Sequence, residues 1–190
     1  MLISVKNIGA RLIKTARRRH KFPVRKFLAN ESGVTAIEFA MLGLPFFAII
    51  GAILETALIF FASQVLDSAL NDSARLIRTG QAQAQNYNVN TFRTAVCSEL
   101  YGLFDCKKLK IRVSTINTFS SATLKRVVDP KTGDWKLVQS YDDGAASSII
   151  MVEAYYKWPT MLDFFSFNLA NLPGNERLLS SVRVFRNEPF

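Results

Sequence analysis

Side chains able to do chemistry are few in this 190-residue chain. Its one histidine, His20, sits in a strongly basic leader, so residues 34–190 contain none. Ser-His-Asp and Cys-His catalysis need an imidazole to take the nucleophile's proton, and most zinc hydrolase sets need one as a ligand. No Gly-rich phosphate loop is present. A glycosidase-type carboxylate pair stays open, because any two acids can meet in space. The sequence reads as a non-enzyme without a metal or a cofactor. Cys97 and Cys106 are the only cysteines. They lack C-x-x-C spacing for a reactive pair and further ligands for a metal. In an oxidising compartment a disulfide is the default, and closing so short a loop contributes roughly 2–3 kcal/mol in the chain-entropy model.

The elements that must position these residues begin with a charge asymmetry. The chain carries a net charge of +9, but residues 1–33 hold nine Lys/Arg and one acid, Glu31, leaving a net of only +1 on the remainder. A basic block ahead of an apolar run signals topology before nucleic-acid binding. The run from Phe39 to Ala62 contains one charge, Glu55. As a helix it is about 36 Å long, against a hydrocarbon core of about 30 Å. It is too long for the apolar core of a cleaved secretory signal, and no A-x-A-like site followed by a soluble start appears after Ala62, where the chain reads Ser-Gln-Val-Leu-Asp and continues as a helix. A buried core helix is the soluble alternative, but little else in the chain is large enough to enclose it. Gly43, Pro45 and Gly51 interrupt the run, which membrane helices tolerate, and Pro45 is expected to kink it. The positive-inside rule places the leader in the cytoplasm and everything after Ala62 outside it.

Residues 63–78 continue the helix in amphipathic form, with Val65, Leu66, Ala69, Leu70, Ala74, Leu76 and Ile77 recurring every three or four positions. Gly80 is the expected stop. Residues 81–88 read as a polar connector. A short helix over 91–101 follows, capped by Asn90 or Thr91, with Phe92, Val96 and Leu100 on one face and Gly102 closing it. The period then changes to two. Residues 109–118, 148–156 and 178–185 read as strands, and 124–138 as a small hairpin around Asp129-Pro130 and Gly133-Asp134. Residues 160–172, with Met161, Leu162, Phe164, Phe165, Phe167, Leu169 and Leu172, are either a core-covering loop or short helix, or an exposed apolar patch for a partner. The expected class is α+β: a long N-terminal helix, transmembrane then amphipathic, packed on a small antiparallel sheet in the manner of a pilin. The expected segments are a leader (1–33), a transmembrane helix (34–62), an amphipathic extension (63–80) and a small extracytoplasmic domain (81–190).

The junction Asn30-Glu31-Ser32-Gly33-Val34-Thr35-Ala36-Ile37-Glu38-Phe39 carries the most information. A basic leader ends in glycine, four mostly apolar residues follow, and a glutamate and an aromatic open the apolar helix. Here the sequence resembles the TadE-like pseudopilins of tight-adherence (Tad) pilus systems, relatives of type IV pilins. Gly33, Glu38 and Phe39 match the family pattern without a gap. Further likeness lies in residues 74–81, in the cysteine-bearing helix and in the terminal Arg186-Asn187-Glu188-Pro189-Phe190.

The resemblance implies cleavage between Gly33 and Val34 by a membrane prepilin peptidase. A glycine there lets the chain extend and approach a protease backbone closely. Cleavage would remove the leader and make Glu38 the fifth residue of the mature chain. A carboxylate in lipid costs about 2.5–3.5 kcal/mol on insertion scales, so it needs a partner. The resemblance supplies one, the new terminal amine of a neighbouring subunit, with Glu38 and Phe39 setting the assembly register. Alternatively Glu38 sits at the headgroup interface. Glu55 either snorkels to the outer interface or pairs within a bundle of helices.

The resulting expectation is a pseudopilin or minor pilin in the bacterial inner membrane. Its C-terminal domain would lie outside the cytoplasm, and the protein would assist pilus biogenesis and adhesion. Its partners would be the prepilin peptidase, other pilins or pseudopilins, the inner-membrane assembly platform and lipid, with no nucleic acid. Two rivals are an unprocessed single-pass scaffold that keeps its leader and a membrane-tethered extracytoplasmic binding module.

Overall fold

The computed structural model describes residues 33–164 and 167–190. Residues 1–32 of the expected basic leader, with His20 and Glu31, lie outside the described residues, as do Phe165 and Ser166. The chain divides into two units, Met1–Gly43 and Leu44–Phe190.

The apolar run and its amphipathic continuation form one helix, α1, Val34–Arg78. Gly80 then takes φ 80°, a left-handed conformation that ends a helix at little cost only in glycine. A side chain there would also collide with Phe190, whose ring carbon Cγ would lie 2.5 Å from an added Cβ. The C-terminal tail thus closes over the end of α1, where the Glu188 amide donates to the Arg78 carbonyl at 2.8 Å.

Residues 81–88, expected as a plain connector, begin with one helical turn, α2 (Gln81–Ala84). Ala82 drives this local departure, being fully buried in an otherwise polar segment. The next helix, α3, is Val89–Ser98 and starts earlier than the 91–101 expected. Asn88 is the cap, in place of Asn90 or Thr91. Its Oδ1 accepts from the amides of Asn90 (2.8 Å) and Thr91 (3.1 Å), while Thr91 Oγ1 accepts from the Asn88 amide (2.7 Å). This reciprocal box satisfies otherwise orphan donors of the first turn. Phe92, Val96 and Leu100 are buried along one face, as their spacing predicts.

Three strands form the antiparallel sheet: β1 (Lys110–Ile116), β2 (Ile149–Pro159) and β5 (Glu176–Arg186), in the order β1-β2-β5. The central strand is buried on both faces from Ile149 to Tyr156, which explains its near-continuous apolar sequence. Register pairs Val113 with Val152, and Val152 with Arg183. One face carries Ile111, Val113, Ile150, Val152 and Ala154 into the main core with Leu66, Leu70 and Ile77 of α1 and Phe92 and Val96 of α3. The other face is covered by residues 127–137, where Val127 and Val128 pack on Tyr155 with Trp135 and Leu137 around them. The expected hairpin in that segment is a tight turn closed by the single bridge Val128–Trp135. The described residues of 160–172 contain no helix. Two short strands, β3 (Asp163–Phe164) and β4 (Phe167–Asn168), pair with each other there. The fold is α+β, a long apolar N-terminal helix with a small antiparallel sheet, as the sequence predicts.

Candidate assembly and membrane surface

Gly33 and Val34 are exposed, and a side chain added at Gly33 would meet no described residue within 4 Å. Glu38 is exposed, and so is Phe39, whose ring lies over Gly43 one turn on, 3.7 Å from where a Cβ would stand. No residue from Val34 to Leu54 is buried, although the segment is almost wholly apolar. The core helix of a soluble protein would be covered. This one is long and apolar enough to cross a membrane and leaves that surface bare.

Burial on α1 starts at Glu55 and recurs at Ile59, Ala62, Leu66, Ala69, Leu70, Ser73, Ala74 and Ile77. Steps of three and four put these positions on one stripe. The packing face therefore reaches back into the apolar run, beyond the amphipathic stretch expected to begin at residue 63. On the other side of the same turns Leu54, Leu58, Phe60 and Phe61 remain exposed.

Glu55 is turned away from water, and among the described residues it meets no cation. It is 6% exposed and its carboxylate accepts the backbone N–H groups of Met161 and Leu162, the latter at 3.2 and 3.3 Å. Sequence reasoning missed this partner, which lies 106 residues away. One signal was available, because Glu55 occupies the first position of the three-four stripe and so faces the core.

Two further polar groups were also missed. Glu153, fully buried on the sheet face opposite the helices, receives Arg112 through Nε at 2.5 Å and Nη2 at 2.8 Å, and the Tyr155 hydroxyl at 2.8 Å. The hydrogen bond to Glu153 raises the Arg112 pKa. Burial first, then the Glu153 carboxylate, holds the Tyr155 phenol protonated well above its usual range. On α1, Asp67 takes Arg183 Nη2 at 2.5 Å and the Ser181 hydroxyl at 2.7 Å, tying the helix to β5. Burial alone would raise its pKa, but these hydrogen bonds and the Arg183 charge bring it below the ordinary value.

Cys97 and Cys106 are bonded, with Cα atoms 5.9 Å apart, joining the end of α3 to the approach to β1. Among the described residues no group of three or more His, Cys, Asp or Glu could hold a metal ion. A groove between α1 and α3 is lined by Asp72, Ser73, Tyr87, Thr91, Thr94 and Glu99. Its hydroxyls and carboxylates include no imidazole or thiol that could serve as a nucleophile–base pair.

The model of the family described as TadE-like protein matches residues 33–75, under a quarter of the chain. Neither a curated protein nor a solved structure matches. The matched segment begins at Gly33 and ends within the buried stripe of α1, so it holds Glu38, Phe39 and Glu55 and leaves out the sheet, the disulfide and the tail. Over residues 33–75 this chain is similar to the family described as TadE-like protein.

Proposed function

We infer that this protein is a pseudopilin or minor pilin of a Tad-type pilus, anchored in the bacterial inner membrane with residues 63–190 outside the cytoplasm. It serves pilus biogenesis and, through the fibre, adhesion. One observation carries this reading. The Gly33-x4-Glu38-Phe39 pattern stands at the head of an uncovered apolar helix, inside the segment that matches the TadE-like model. A prepilin peptidase cuts between Gly33 and Val34 and removes the net positive leader. The exposed glycine suits that cut, since no described residue lies within 4 Å of where its side chain would stand. The freed Val34 amine and the Glu38 carboxylate then have opposite charges near the membrane surface, where pairing between subunits relieves the cost of burying either in lipid. The other partners are further pilins or pseudopilins, packed along Val34–Leu54, and the inner-membrane platform that assembles them. The role is not catalytic.

The deciding experiment is the intact mass and amino-terminal sequence of the protein taken from its native membrane. The expected mature chain begins Val-Thr-Ala-Ile-Glu. A chain that begins at Met1 overturns the reading and makes the leader a permanent cytoplasmic tail of a single-pass scaffold.

A further inference from the structure

Glu55 poses a problem of solvation. It stands on a helix whose exposed surface is apolar on both sides of it, from Leu54 before to Leu58, Phe60 and Phe61 after. Its carboxylate accepts two consecutive backbone amides, Met161 and Leu162, and among the described residues no Arg or Lys reaches it. The amide before them, Thr160, donates to the Asn175 carbonyl at 2.8 Å, and the Thr160 hydroxyl reaches the same oxygen at 2.9 Å. Three successive N–H groups of an irregular segment are thus all satisfied by protein. Water would satisfy them at no structural cost. A bilayer would not, and irregular backbone at membrane depth survives only where protein supplies its hydrogen bonds.

The placement along α1 agrees. Leu162 packs so closely over Gly51 that a Cβ added there would lie 3.1 Å from Leu162 Cδ1. Residues 160–162 therefore cross α1 at the level of Gly51–Glu55, inside the bare apolar surface that runs from Val34 to Phe61. Between Lys157 and Asp163 the sequence Trp-Pro-Thr-Met-Leu has no charge. Met161, in the middle, is 78% exposed.

We propose that residues 160–162 form a strap in the outer leaflet of the membrane, which inserts the Met161 side chain among the acyl chains and is held at that depth by Glu55. The occupant of this surface is lipid, because residues 160–162 meet α1 at Gly51–Glu55, among the exposed apolar side chains of the spanning helix. Carboxylate and amides solve each other's problem. Neither is left unpaired in lipid, and the small domain gains a second contact with the bilayer besides the helix itself. Glu55 is a positioning residue here. The proposal rests on α1 spanning the membrane and is independent of pilus assembly.

The test uses the full chain in phosphatidylcholine–phosphatidylglycerol vesicles. Both native cysteines are bonded to each other, so an introduced thiol labels selectively. An environment-sensitive fluorophore is placed through Met161→Cys, through Phe47→Cys as the lipid reference, and through Val138→Cys, 78% exposed, as the water reference. Lipids carrying nitroxides at positions along the acyl chain should quench the labels at both 161 and 47, and leave that at 138 bright. Adding Glu55→Ala should move the signal at 161 toward the water reference without changing that at 47. A label at 161 that behaves as the one at 138 overturns the strap. A dry but unquenched label at 161 assigns the surface to another protein chain and overturns lipid as the occupant. Loss of quenching at 47 as well removes the spanning helix, and the strap with it. A signal at 161 indifferent to Glu55→Ala removes Glu55 as the positioning residue.

Discussion

Two acids are buried among the described residues, Glu55 and Glu153, and their neighbours satisfy them by opposite means. Glu153 is met by a guanidinium fork and a phenol, Glu55 by peptide amides. Removing one member of a buried ion pair leaves the other charge uncompensated, which costs about 3–5 kcal/mol in fully enclosed cases. The Arg112 side chain retains 21% exposure and can turn to water. Glu153→Ala is therefore expected at the low end, about 3 kcal/mol, read as a loss of unfolding free energy of the full chain in detergent. Arg112→Met combined with Glu153→Leu should recover most of that loss, since apolar groups then fill the site without a stranded charge. At the surface, Asp67 and Asp129 both have folded pKa values below their unfolded ones. Asp129 lies at about 2, first through its hydrogen bond with Lys136. The unfolded chain thus binds more protons over this window, so stability rises with pH there. The contribution is fully present above about pH 4 and is lost as pH falls through the folded values. Thermal unfolding from pH 5 to pH 2 should show that decline. Asp67→Asn should flatten part of it and cost about 1 kcal/mol at neutral pH, a small figure because both partners are partly exposed to water.

At the scale of elements, α1 serves two environments along one helix. Its first turns are bare and apolar, and from Glu55 onward a stripe of buried positions carries the sheet and α3. The sequence made the helix and its end at Gly80 readable, because 3.6-residue periodicity and a glycine stop are local signals. The start of α3 was harder. Asn88, Asn90 and Thr91 are all acceptable caps by type, and the choice of Asn88 depends on the backbone that enters it, extended at φ −128°. Asn88→Ala should cost about 1 kcal/mol. The loss should appear as faster amide exchange over residues 89–92, with protection in the central sheet strand largely retained. An equal loss at Asn90→Ala would show that the cap is shared. The three sheet strands were legible from alternation, and the central one from its unbroken apolar run. The β3–β4 pair was not. Its sequence is phenylalanine-rich without a clear period, and short apolar runs read alike as helix, strand or loop.

For the whole molecule, the proposed pilus function would turn on the first turn of α1 more than on the domain. Gly33→Trp should stop maturation, leaving the full-length mass in the membrane fraction. Because a side chain at Gly33 meets no described residue within 4 Å, that outcome would report the peptidase and not a folding defect of the described domain. Glu38→Ala should insert normally and be cut normally but fail to enter fibres, measured as loss of the protein from sheared pili. Normal incorporation would remove Glu38 as the assembly register.

Residue order alone determined that a basic leader precedes a membrane-length apolar helix, that Gly33, Glu38 and Phe39 stand at their junction, and that an α+β domain with two cysteines follows. These are local properties: charge asymmetry, hydrophobic period and motif spacing act within a few turns of chain. Tertiary structure alone decided where Glu55 and Glu153 find their partners and which face of α1 is covered. The Met161 amide reaches Glu55 across 106 residues, and Arg112 reaches Glu153 only through the β1–β2 register. Burial and hydrogen bonding between distant segments depend on how the whole chain packs, and no short window of sequence contains that information.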